Sequence, residues 1–259
     1  MSQSRESPAY LSPTRPRIFA HRGFSHGSDL IENTLPAFVS ALALGATHLE
    51  SDIQVTRDGV PVLFHDESLE RVTGIPQRIN QLSLAEIVLL DLGSGARIPT
   101  LDETLKAFPE ALFNLDFKVA DAIESATRVI LENNAEERVL VASFSDSRRR
   151  KAQGLLGASA IGSAGSIRTL ALYFAVMARL SPLAKLLAKP IVAIQVPVSQ
   201  GIIRFDSPLF VAKLRKLEVE LHFWTINDLD EMLRLIELGA DGIVTDRTDI
   251  AVKTLRTAV

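Results

Sequence analysis

Short apolar runs alternate with stretches of helical periodicity along most of this chain. The run Arg17-Ile-Phe-Ala-His-Arg22 ends in polar residues and Gly23, the pattern of a buried strand feeding a loop. Leu35, Phe38, Val39 and Leu42 then recur at helical spacing. Asn33 or Thr34 can cap that helix, and Pro36 falls in its first turn, where a missing N–H costs nothing. Gly45 ends it, and a strand over 46–56 begins at once. The same joint, Leu-Gly-Ala, recurs at Leu238, Gly239 and Ala240 before a strand over 241–245. In both places a Gly C-cap turns helix directly into strand.

Between these joints the pattern predicts strands over 111–118, 138–144, 158–163, 191–196 and 220–225, with helices near 121–132 and 147–155. Eight strands separated by helices predict an α/β fold, a (β/α)8 TIM barrel with right-handed crossovers. No low-complexity linker interrupts the series, so residues 17–259 read as one domain. Two segments exceed the repeat. Residues 56–100 form an insertion after the second strand, carrying a turn at Arg57-Asp58-Gly59, a strand over 60–64 and the pair His65-Asp66. Long insertions on the C-terminal face of a barrel cap its active site. Residues 166–189 read as an outer apolar helix interrupted by Pro182, with contact at a membrane surface as the second reading.

Composition narrows the class. A chain of 259 residues, 47% hydrophobic and 23% charged, can bury a large core. A net charge of −3 offers no general attraction to nucleic acid or anionic lipid. Without cysteine there is no disulfide, thiol nucleophile or Cys zinc site. Residues 1–16 are rich in Ser, Pro and Arg, lack an apolar core for a secretory signal, and read as a disordered leader. The longest apolar run is far below the roughly 20 residues of a membrane span. A cytoplasmic protein is the resulting expectation.

Barrel enzymes carry their chemistry at the C-terminal ends of the strands. Here those ends offer His21 and Arg22, Glu50 and Asp52, Asp116 and Lys118, then Trp224 and Gln195. Glu50 and Asp52 are two apart on a strand and share a face. Taken alone, such a pair reads more readily as a solvated edge bridged to Lys or Arg. Asn114, Asp116 and Lys118 share the inward face of the third strand, opposite Phe113, Leu115 and Phe117. Three carboxylates on neighbouring strands would supply oxygen ligands for one divalent cation, Mg2+ or Ca2+. Arg22 and Lys118 would add positive charge for an anionic substrate, most plausibly a phosphate. His21 and His65 each close an apolar strand and precede a charged residue, which suits an acid/base pair. His48 and His222 lie earlier in their strands and read as core; His26 reads as a loop residue. Trp224 is either core or an apolar wall against substrate.

Six stretches in order resemble the signature set of glycerophosphodiester phosphodiesterases: His21-Arg-Gly23, Glu32-Asn-Thr34, Glu50-x-Asp52, His65-Asp66, Trp224-Thr-Ile-Asn227 and Gly239-Ala-Asp-Gly-Ile-Val-Thr-Asp246. The resemblance implies a (β/α)8 barrel with a small insertion after the second strand. It implies that Glu50 and Asp52 bind a divalent cation, that His21 and His65 act as general base and acid, and that Arg22, aided by Lys118, holds the phosphate. Glu32 would sit beside the site, shaping the loop or binding the metal side of the substrate. The implied reaction is hydrolysis of a small glycerophosphodiester, such as glycerophosphocholine, to glycerol 3-phosphate and an alcohol. A lysophospholipase D acting on lysophospholipids is the alternative, with residues 170–187 lining a groove at the barrel mouth. One departure stands out: the family's third strand usually carries Glu-x-Lys, and this chain has Asp116-Phe-Lys118. Asp is one methylene shorter, which allows binding through a water or a changed ion preference; the charge is preserved, so Asp116 is expected to remain a metal ligand and activity to survive.

Overall fold

The computed structural model describes residues 9–93 and 95–255. Eight parallel strands form the expected barrel: β1 Arg17–His21, β2 His48–Val55, β3 Phe113–Phe117, β4 Val139–Ala142, β5 Ile161–Gly162, β6 Ala193–Val196, β7 Glu220–Phe223 and β8 Gly242–Thr245. Their order around the sheet is β5-β4-β3-β2-β1-β8-β7-β6. A single parallel bridge between Ser163 and Ala193 joins its two ends.

Helices cover the outside: α1 Leu35–Leu44, α2 Leu101–Ala107, α3 Ala122–Glu132, α4 Asp146–Leu156, α5 Ser166–Met177, α6 Ser181–Ala188, α7 Pro208–Lys216, α8 Leu229–Leu238 and α9 Thr248–Leu255. Thr34 stands at the N-cap of α1, and Gly45 ends it at φ 102°, a left-handed conformation that Gly adopts without a Cβ penalty. Gly239 does the same for α8. The apolar segment over 166–189 breaks at 178–180, where Arg179 takes φ 58°; Pro182 opens the first turn of α6. Among the described residues no helix is long and apolar enough to cross a membrane.

Strand alternation divides the core in two. Phe113, Leu115 and Phe117 pack outward with Leu49, Ile53, Phe38 and Ile123 between sheet and helices. Burying each such side chain contributes about 1.5–3 kcal/mol. Phe19, Leu140, Ile161 and Val244 point inward and fill the barrel axis. Gly242 is required there, because a Cβ would stand 2.7 Å from the Phe19 ring.

The floor of the barrel corrects one expectation. Residues 9–16 belong to the expected disordered leader, yet they are packed in the fold; residues 1–8 lie outside the described residues. Tyr10 is fully buried beneath the barrel, its ring edge-on to His48 at 4.4 Å. Its amide donates to the Glu137 carbonyl at 3.1 Å, and its own carbonyl accepts from His48 Nε2 at 2.9 Å. Arg15 reaches Glu220 at 2.9 Å and Asp241 at 2.8 Å. One aromatic residue within a polar stretch carries the anchor, and composition averaged over sixteen residues hides it. The same layer holds Arg17, whose guanidinium donates to both Glu220 oxygens at 2.8 and 2.7 Å, and His222, 3.0 Å from Glu220. Burial pushes His48 down to about 3, so it is neutral at physiological pH. His48 and His222 are core residues, as their place in the strands implies.

The insertion folds back over the barrel mouth. Its strand Pro61–Leu63 pairs antiparallel with the end of β2, and Val62, Phe64, Leu69, Ile79, Ile87 and Ile98 form a small core of their own. The Phe64 amide donates to the Asp52 carbonyl at 3.0 Å, which sets His65 beside the end of β2.

Candidate active site

Register assembles the site. β1 and β2 pair His21 with Glu50, and β2 and β3 pair Asp52 with Asp116. A cavity of about 330 Å3 opens at the C-terminal ends of the strands. His21, Arg22, Glu50, Asp52, His65, Asp116, Lys118 and Trp224 all line it, so the structure brings eight of the nine expected residues onto one surface. Glu32, the ninth, stands behind Arg22 and accepts from its Nη1 at 3.0 Å.

Each histidine is held by a carboxylate. His21 Nδ1 lies 2.7 Å from Asp246 Oδ1, and His65 Nδ1 lies 2.6 Å from Asp66 Oδ1. An ionised carboxylate only accepts, so both rings carry their proton on Nδ1 and leave Nε2 for chemistry. His21 Nε2 is 4.0 Å from Glu50 Oε2. Burial lowers the His21 pKa, but the bond to Asp246 and the charge of Glu50 outweigh it, leaving a net rise. Asp246 is itself fixed by Asn227, whose Nδ2 donates to Oδ2 at 2.7 Å.

The carboxylates are less evenly served. Burial would raise Asp52, yet Lys118 and Arg22 hold it below its ordinary value. Lys118 Nζ lies 2.9 Å from Asp52 and 2.7 Å from Asp116; burial would lower its pKa, and the two carboxylates reverse that. Asn33 Nδ2 donates to Asp52 at 3.2 Å. Glu50 has the Arg22 backbone N–H at 3.0 Å, where Arg22 takes φ 56°. Burial first, then the negative charge of Asp52, push Glu50 up to about 7. Burial also raises Asp116, against the pull of Lys118. The expected role of Lys118 is thereby narrowed: its charge is already committed to two carboxylates.

Among the described residues no three His, Asp or Glu side chains converge into a ready-made cation cage. The donor set nevertheless fits a hard cation. Asp116 Oδ1 and Asn114 Oδ1 are buried with no hydrogen-bond partner, and burial beside the negative Asp52 pushes Glu50 up to about 7. Buried oxygen donors without partners, beside carboxylates that repel one another, are what Mg2+ or Ca2+ satisfies.

Several contributors were not singled out from the sequence. Asp246 and Asn227 lie within quoted motifs but were given no role; closure of β8 against β1 is what brings Asp246 to His21. Arg71, on the short helix Glu70–Thr73, bonds Asp66 at 2.6 Å and Glu32 at 2.5 Å, and no spacing rule points to it. The lining also has apolar members: Phe144, Leu170, Val196, Pro197 and Phe205, with Trp224. Trp224 stacks edge-on to Phe144 at 5.9 Å, so it is wall rather than core.

Two carboxylate-held imidazoles, an arginine and a trio of acidic side chains at a barrel mouth define a hydrolase of the phosphoric-diester class. The family model described as the Glycerophosphoryl diester phosphodiesterase family matches residues 21–250, and the chain belongs to that family. It is 36% identical over 231 residues to a Mycobacterium tuberculosis protein named "Probable glycerophosphodiester phosphodiesterase 2", covering 89% of this chain and 87% of that one. It is 31% identical over 253 residues to a glycerophosphodiester phosphodiesterase of Caldanaerobacter subterraneus subsp. tengcongensis, covering 92% and 97%. Among solved structures, an Oleispira antarctica phosphodiesterase in complex with the product sn-glycerol-3-phosphate has the same fold, with a TM-score of 0.74 at 24% identity, covering 93% of this chain and 97% of that one.

Proposed function

We propose that this chain hydrolyses glycerophosphodiesters such as glycerophosphocholine or glycerophosphoethanolamine to sn-glycerol 3-phosphate and an alcohol, with His21 as general base and His65 as general acid. The observation that carries this reading is the pair of carboxylate-oriented imidazoles on one cavity wall with Arg22. Binding alone has no use for two imidazoles with oriented protons; transferring one proton in and one out does. His21 Nε2 accepts the proton of the attacking hydroxyl while Asp246 stabilises the imidazolium. His65 enters the step as the imidazolium, keeps its Nδ1 proton on Asp66 and delivers the second proton, on Nε2, to the departing alkoxide, ending as the neutral ring. Arg22 is turned towards the site by Glu32 and Asp52 and binds phosphate oxygens as these charges build.

Glu50, Asp52 and Asp116 are the residues that would hold the divalent cation, Mg2+ or Ca2+. When bound, it neutralises phosphate charge and stabilises it in the transition state. The shorter Asp116 keeps the charge of the family's usual Glu, and its free Oδ1 leaves it a donor.

One observation favours lysophospholipase D activity as a second reading. Leu170 of α5 lines the cavity together with Phe144, Val196, Pro197 and Phe205, apolar side chains suited to an acyl chain. Incubation with glycerophosphocholine and with lysophosphatidylcholine, with and without EDTA, separates the two. Glycerol 3-phosphate with choline from the first substrate, abolished by EDTA, is the expected result; choline from the second alone favours the alternative. Turnover indifferent to EDTA, or none with any divalent ion, rejects the mechanism. Calorimetric ion affinity unchanged in Asp116→Ala rejects that residue as a ligand.

A further inference from the structure

Between Asp146 and Asp206 the chain has no Asp or Glu, and it has nine Arg or Lys, within a protein of net charge −3. This acid-free stretch builds α5 and α6. The two helices form an antiparallel hairpin, with the Arg168 guanidinium donating to the Leu187 carbonyl at 2.9 Å. Leu172, Ala175, Val176, Ala184 and Ala188 face the core. The opposite face is apolar and open. Six of the fifteen large apolar side chains exposed among the described residues fall between 167 and 186: Ile167, Phe174, Met177, Leu180, Leu183 and Leu186. Ile167 is 78% exposed and Leu186 62%. Arg179, Lys185 and Lys189 are exposed among them, and none forms an ion pair among the described residues.

We propose that the α5–α6 hairpin is a docking surface for an anionic phospholipid bilayer. An exposed apolar face interleaved with unpaired cations matches both parts of such a surface: acyl chains for the leucines and phenylalanine, headgroup phosphates for the cations. A second copy of this chain is disfavoured as the occupant, because a two-fold contact would set the three cations against themselves. The surface is continuous with the active site. Ile167 lies between Ser166 and Leu170, both in the cavity lining, and Ile202, fully exposed, lies between the cavity-lining Gln200 and Phe205. Docking here would place the mouth against the lipid layer. The proposal rests on charge and exposure, independently of which phosphodiester is cleaved.

Flotation of the full chain with vesicles tests it. Phosphatidylcholine vesicles containing phosphatidylglycerol should carry the protein, and phosphatidylcholine alone should not. High salt should release it. The triple variant R179Q/K185Q/K189Q should bind about fivefold more weakly per charge removed, roughly a hundredfold in all. L183S/L186S should weaken binding with the cations intact, and thermal unfolding of each variant shows whether it is folded. No binding of the unaltered protein to anionic vesicles, equal binding to neutral ones, or self-association abolished by L183S/L186S would overturn the proposal.

Discussion

Replacing Asp246 by Asn probes how His21, the proposed base, is held. In the present geometry Asp246 serves two donors: Oδ1 accepts from His21 at 2.7 Å and Oδ2 from Asn227 at 2.7 Å. Asn offers one carbonyl oxygen for the two. The Asn227 oxygen is occupied by Thr245 Oγ1 at 3.0 Å and the Asp246 amide at 2.9 Å, so Asn227 cannot flip to compensate. If the new carbonyl faces Asn227, its amide faces His21 Nδ1 and forces the proton to Nε2, which removes the base. If it faces His21, a charged bond becomes a neutral one. A bond to a charged group is worth about 1.5–3 kcal/mol; the 45% exposure of the Asp246 side chain places it near the lower end, about 1.5–2 kcal/mol, or roughly 10- to 30-fold in rate. The pH profile gives a second readout. Asp246 raises the His21 pKa, so its removal lowers that pKa, and the acid limb of kcat/KM should move to lower pH while the plateau falls. The assay is glycerol 3-phosphate release from glycerophosphocholine across pH. An unchanged plateau, or an acid limb that stays in place, would refute the role of Asp246.

Other consequences follow from the same contacts. Arg71→Ala frees both Asp66 and Glu32 and should lower kcat roughly tenfold or more with a smaller change in KM, partly restored in Arg71→Lys; equal kcat in the two proteins would contradict it. Glu50 titrates near 7 when folded against an ordinary 4.5, so the folded state binds more protons between those values and stability falls as pH rises through that window. Unfolding melts with and without Mg2+ should therefore show the ion raising Tm at pH 8 more than at pH 5. Tyr10→Ala should destabilise by about 3–5 kcal/mol in urea unfolding, as for other buried aromatics, whereas Tyr10→Phe should be neutral or stabilising, because the buried hydroxyl has no partner.

The barrel was legible because its signal is local. Apolar runs ending in Gly or charge, helices closed by Gly45 and Gly239, and inward alternation of Asn114 and Asp116 all follow from spacing alone. The carboxylate and histidine members of the site were legible for the same reason, since strand ends converge in any barrel. Features that depend on closure were not. Asp246 stands 225 positions from His21, and only the pairing of β1 with β8 brings them together. Arg71 acts through the fold of the insertion, whose irregular path no period describes. The Tyr10 anchor was lost in the average of a polar leader. Lys118 could be placed by alternation, but its commitment to Asp52 and Asp116 is a matter of distances that a sequence does not carry.

The proposed division of labour between His21 and His65 makes the two histidines differ in leaving-group dependence. Glycerophosphoethanolamine loses an alkoxide that must be protonated, whereas a nitrophenyl diester loses a phenolate that needs no proton. Removal of a general acid or base lowers rates by about 10²–10⁴. His65→Ala should lose that factor on glycerophosphoethanolamine and keep most of its rate on the nitrophenyl diester, while His21→Ala should lose it on both. Equal losses for His65→Ala on the two substrates would contradict it.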